Sequence, residues 1–177
     1  IPNIFTIANL VLGFICILNV FVRNDFEIIY IFYVCLILDF LDGFVARKLH
    51  LTSEFGKQID SLADLVSFGI LPSIILYEHF DSNSFNLFLK YSSILILVSS
   101  SIRLAKFNIS EEKNNFFIGL PTPANALFFI SLIYYNGDLK QYFNEYVIVF
   151  FILLFSVLMV SKIKFINLKF SNFIIIE

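Results

Sequence analysis

Residues 38–65 read LDFLDGFVARKLHLTSEFGKQIDSLADL, and they place four aspartates, Asp39, Asp42, Asp60 and Asp64, against runs of lipid-compatible sequence. Ionised groups are expensive in hydrocarbon and persist there where a function holds them. Asp39 and Asp42 are three residues apart and Asp60 and Asp64 four apart, so on helices each pair shares a face and can point at a common spot.

The chain on either side of this stretch decides the fold class. With 59% hydrophobic residues, 24 Phe among 177 positions and a mean hydropathy of +0.87, it is far too apolar for an ordinary soluble domain. A bilayer-crossing helix needs about 20 mostly apolar residues. That window selects six segments, near 4–22, 26–46, 59–78, 85–107, 122–136 and 143–161, the fifth short enough to tilt or borrow from its flanks. The expectation is an all-α, polytopic membrane protein whose six transmembrane helices form one bundle. No Pro/Ser-rich linker, low-complexity tract or clear repeat divides it, so 1–177 reads as a single integral membrane domain. The first apolar run carries neither a basic leader nor a small-residue cleavage site, and reads as a retained span. Cys16 and Cys35 lie inside apolar runs without metal-ligand spacing, and read as packing residues.

A formal net charge of −2 conceals an uneven layout. Arg47, Lys48, Lys57, Arg103, Lys106, Lys113, Lys162, Lys164 and Lys169 fall on one side of a six-span bundle, with only Arg23, Lys90 and Lys140 opposite. Basic residues in short loops mark the cytoplasmic side. Both termini, the loops near residues 50 and 110, and the aspartates are therefore expected at the cytoplasmic face of the cell membrane. The partner implied is a lipid bilayer, with no nucleic acid. After the sixth span, KIKFINLKFSNFIIIE alternates basic and apolar residues, as a segment lying at the interface does.

Four clustered carboxylates repel one another, and Arg47 offsets only one of them. Hard oxygen donors without His or Cys neighbours suit Mg²⁺, Mn²⁺ or Ca²⁺ over zinc, and four of them suffice for two divalent ions. Gly43, Ala46 and Gly56 leave room for a ligand near the backbone, or simply let helices pack closely. Helix-end carboxylates in headgroup water and the proton-relay groups of a transporter are the competing readings.

Written out, Asp39-x2-Asp42-Gly43-x2-Ala46-Arg47-x8-Gly56-x3-Asp60-x3-Asp64 resembles the signature of the CDP-alcohol phosphatidyltransferases, all eight fixed positions being filled. The resemblance implies a motif that binds a CDP-linked lipid and two divalent ions, Mg²⁺ or Mn²⁺, and transfers a phosphatidyl group to an alcohol with release of CMP. By position it makes Asp39, Asp42 and Asp60 metal ligands, and Asp64 both a metal ligand and the general base. Asp39, Asp42, Gly43, Ala46, Arg47 and Gly56 would bind the nucleotide-lipid. Asn3 and Thr6, at the start of the first span, match a Pro-Asn-x-x-Thr element that the family places near the nucleotide; capping alone would also explain them.

The stretch SIRLAKFNISEEKNNFFIGLPTPANAL, residues 101–127, resembles the phosphatidylserine synthase branch of that family, as do FGKQIDSLADLVSFGILPS and MVSKIKF. That branch implies CDP-diacylglycerol and serine as substrates, Arg103, Lys106 and Asn108 at the acceptor, and a homodimer. Arg103 would hold serine's carboxylate or the transferred phosphate. Glycerol-phosphate or inositol-phosphate transfer stays open, as does, from another class, a cation or proton transporter. Apart from any family, residues 119–124 read as a shaped loop, with Gly119 allowing a sharp turn and Pro121 and Pro123 opening a helix.

Overall fold

The computed structural model describes residues 2–48, 53–83, 86–109, 116–134 and 143–166. Eight helices run through them: α1 Pro2–Val22, α2 Asp25–Lys48, α3 Glu54–Asp64, α4 Leu71–Asn83, α5 Leu87–Ser92, α6 Ile94–Ile109, α7 Thr122–Tyr134 and α8 Glu145–Val160. A π-helical turn, Leu65–Ile70, joins α3 to α4. The chain is an all-α, polytopic membrane protein. Four helical stretches, Asn3–Val22, Asp25–Ala46, Glu54–Phe80 and Leu87–Ile109, are long and apolar enough to cross a bilayer, and α7 and α8 are shorter apolar helices. Large apolar side chains such as Phe14, Phe26, Phe40, Tyr146 and Phe150 are exposed around the bundle, which suits contact with lipid.

Local chemistry sets the helix ends. Between α1 and α2 the chain reverses on Arg23 at φ 60, with Arg23 N–H donating to Val20 O (3.1 Å) and Asn24 N–H to Asn19 O (3.2 Å). This pair of bonds closes a Schellman motif at a position where glycine is usual. Ser53 caps α3 by accepting from Gly56 N–H at 3.0 Å. The single apolar segment expected over 85–107 is one helical span, Leu87–Ile109, with an irregular turn at Ser93, where Ser92 Oγ donates to Leu89 O (2.6 Å) and Ser93 Oγ to Lys90 O (3.0 Å). Such side-chain bonds compete with the helical ladder.

One buried cluster joins α1, α2, the π-turn, α4 and α7 through Cys16, Phe32, Cys35, Phe68, Leu71 and Ala126. A second joins α4 to α6, α7 and α8 through Leu76, Phe80, Ile96, Phe129 and Ile152. Cys16 and Cys35 are free and buried, as packing residues. Gly13 lets α1 approach the π-turn so closely that a Cβ there would collide with Ser67 Oγ. Ser67 Oγ in turn donates to Asn9 O at 3.1 Å, tying the turn to α1.

Two three-residue strands, β1 Phe116–Ile118 and β2 Lys164–Ile166, pair antiparallel, with Phe117 opposite Phe165. The start of the basic-apolar tail is thus held to the loop before α7, while residues 167–177 lie outside the described ones. Gly119 adopts φ +77, donates to Ile163 O at 2.9 Å, and leaves no room for a Cβ beside Met159 O. This is the turn expected at that position.

Candidate functional site

Helix α2 carries Asp39 and Asp42 toward its C-terminal end, and α3 carries Asp60 and Asp64. The two helices bring one carboxylate oxygen each from Asp39, Asp60 and Asp64 within 4.8 Å of one another, all three residues being half-buried. Oxygen-only donors this close repel one another unless a cation lies between them, so the triad fits a hard divalent ion. Asp42 faces α1 instead. It is 6% exposed and accepts a hydrogen bond from the Thr6 hydroxyl, while its charge still acts on Asp60. Thr6 and Asp42 thereby fasten the start of α1 to the end of α2.

Asn3 lies on the first turn of α1 beside α3, its Oδ1 3.3 Å from where a Cβ on Gly56 would stand. Gly43 and Ala46 occupy the last turns of α2, and so does Arg47, whose side chain is outside the described part of the structure.

Arg103, on α6, lies near enough to the acidic site for its charge to act on Asp64. Its Nη1 donates to Thr122 Oγ1 at 2.5 Å, and its Nε is buried without a hydrogen-bond partner among the described residues. Asp64 Oδ1 is likewise buried and unpartnered. A carboxylate with a free lone pair beside a fixed guanidinium can accept a proton from a hydroxyl held between them.

The other acceptor candidates are engaged elsewhere. Lys106 Nζ donates to Val160 O at 3.1 Å, at the end of α8. Asn108 pins α6 to α3: its Oδ1 accepts from Ser61 Oγ (2.9 Å), its Nδ2 donates to Gln58 Oε1 (3.1 Å), and its backbone oxygen accepts from Lys57 Nζ (3.2 Å).

Three features escaped the sequence reading. Thr122, the partner of Arg103, lies between Pro121 and Pro123 and was not singled out there. Asn125 is fully buried within α7, and its position in an apolar segment was the available signal. The π-turn that begins directly after Asp64 has no sequence signature, although such turns gather at functional sites.

Comparison with known proteins bears on this arrangement. A sequence model of the CDP-alcohol phosphatidyltransferase family matches residues 1–164. Among curated proteins the chain is similar to the CDP-diacylglycerol–serine O-phosphatidyltransferase of Methanocaldococcus jannaschii, with 38% identity over 148 residues, covering 84% of this chain and 64% of the relative. The similarly named protein of Helicobacter pylori is 36% identical over 177 residues, 95% of this chain and 72% of that one. The Bacillus subtilis protein of that name is 37% identical over 142 residues, 77% of each.

Proposed function

The chain belongs to the CDP-alcohol phosphatidyltransferase family, and on that footing we propose that it transfers the phosphatidyl group of CDP-diacylglycerol to the hydroxyl of L-serine, yielding phosphatidylserine and CMP. The observation that carries the reading is the convergence of Asp39, Asp60 and Asp64 from two helices, with Arg103 approaching Asp64 from a third. The names of the relatives point to serine as the acceptor.

Asp39, Asp60 and Asp64 would hold Mg²⁺ or Mn²⁺, and Asp42, one of whose oxygens accepts from Thr6, would have to offer its other oxygen to complete a four-carboxylate set for two ions. Bound there, the ions would offset the charge of the diphosphate and of the departing CMP. Asp64 takes the proton from the serine hydroxyl at its unpartnered Oδ1. The serine oxygen then bonds to the β-phosphorus as the bond from that phosphorus to the CMP oxygen breaks. Arg103, buried and held by Thr122, holds serine's carboxylate. Asn3, Thr6, Gly43, Ala46, Arg47 and Gly56 flank the nucleotide, while Lys106 and Asn108 tie the end of α6 to α8 and α3.

A site at the end of membrane helices suits a substrate whose tails stay in lipid while CMP departs to water. Basic loop residues support the cytoplasmic side of the cell membrane for this site and for the termini. Residues 1–177 form one catalytic domain in this reading, and two copies pair through their membrane helices; cross-linking in native membranes tests the pairing. The reaction is tested with radiolabelled serine, CDP-diacylglycerol and Mg²⁺ or Mn²⁺ in membranes holding the chain. Labelled phosphatidylserine with stoichiometric CMP is expected. Product with glycerol phosphate and none with serine would move the chain to another branch.

A further inference from the structure

Serine is a zwitterion, and the groups assigned above meet its hydroxyl at Asp64 and its carboxylate at Arg103. Its ammonium offers three donors and needs acceptors. Asn125 on α7 has 0% exposure, and neither its Oδ1 nor its Nδ2 has a hydrogen-bond partner among the described residues. A primary amide buried in this way is costly, and in native proteins such a group is satisfied by water or a ligand.

Two relations place this amide beside the acceptor groups. Asn125 follows Thr122 by one helical turn on the buried face of α7, and Thr122 is the residue that accepts from Arg103 Nη1 at 2.5 Å. Helix α7 also packs against the π-turn that starts directly after Asp64. Three elements that adjoin one another through these contacts therefore each carry buried polar atoms without a partner among the described residues: an acceptor on Asp64, a donor on Arg103, and both kinds on Asn125.

We infer that Asn125 reads the amino and carboxylate groups of the acceptor together, its Oδ1 accepting from the ammonium and its Nδ2 donating to the carboxylate. Asn125 thereby selects an amino acid over a polyol phosphate, and Thr122 is a positioning residue that orients Arg103. This inference rests on the serine-transfer reading.

The test uses the full chain in vesicles with Mg²⁺ or Mn²⁺, following CMP release with serine, with ethanolamine, which lacks the carboxylate, and with 3-hydroxypropionate, which lacks the ammonium. Asn125→Ala is expected to raise the serine KM roughly tenfold or more, to leave the CDP-diacylglycerol KM within about twofold, and to narrow the preference for serine over 3-hydroxypropionate. The near-isosteric Asn125→Asp keeps an ammonium acceptor but loses the donor to the carboxylate. It should retain that preference while raising the serine KM.

Parallel rises in both KM values, or a fall in kcat with serine KM and acceptor preference unchanged, would reduce Asn125 to packing and overturn the inference. Should Asn125→Ala fail to bind CMP in a thermal-shift assay, Asn125→Asp decides, and an unchanged serine KM in it overturns the proposal. A wild-type chain that uses glycerol phosphate and ignores serine would overturn the serine reading itself, before any variant is compared.

Discussion

Within the single rod Glu54–Phe80, the two halves have opposite chemistry. Helix α3 fully buries only Ala63 and presents Asp60 and Asp64 to the acidic site. Helix α4 buries Leu71, Ile75, Leu76 and Phe80 at 2% exposure or less and joins both apolar clusters. The carboxylates lie in the half nearer the rod's N-terminal end, where ionised groups cost less than at mid-membrane, whereas the second half mainly supplies packing contacts. The π-turn between them lets each half choose its own direction. One residue of an α-helix turns about 100°, so the extra residue re-aims α3 without disturbing the seat of α4.

The comparison breaks first if changes in α3 fail to act on turnover alone. Asp64→Asn is expected to lower turnover by about 10²–10⁴-fold while nucleotide-lipid binding persists, whereas Asp39→Asn loses both; CMP release beside a CMP thermal-shift assay separates them. Full turnover in Asp64→Asn would remove it as the base. Deleting Val66 restores a regular helix and should rotate α3 by about 100° against α4, costing turnover roughly 100-fold or more at nearly unchanged helical content, read by circular dichroism.

Changes in α4 should do the reverse. Phe80→Ala empties a fully buried site and is expected to cost about 3 kcal/mol of stability, measured by unfolding in detergent, with both KM values unchanged. The smallest effect belongs to the helix start, where Ser53→Ala removes the cap to Gly56 N–H and should cost about 1 kcal/mol, sharpening where the rod begins.

Much of this contrast was legible in residue order. Apolar windows found each of the six helical segments, and the spacing of Asp39 with Asp42 and of Asp60 with Asp64 announced two faces, which meet through Asp39, Asp60 and Asp64 while Asp42 turns to Thr6. The third window opened at residue 59 although its helix opens at Glu54, because Glu54–Gln58 is polar and its helicity is supported by the Ser53 cap. The irregular turn at Ser93 within Leu87–Ile109 was hidden by an unbroken hydropathy signal, since serine hydroxyls perturb the ladder without lowering hydropathy much. Lys106 and Asn108 carried the same motif as Arg103, yet only Arg103 bears on Asp64; the others hold α8 and α3.

Residue order alone determined that this chain enters a bilayer as helices and that two pairs of acids sit at facing helix ends, because hydropathy and helical spacing depend on composition and order. Tertiary structure alone decided that Asp42 turns to Thr6, that Arg103 is held by Thr122 beside Asp64, and that the Asn125 amide has no partner among the described residues. Those outcomes depend on which helix lies against which, and close approaches such as that of Gly13 to Ser67 set that packing from residues far apart in the chain.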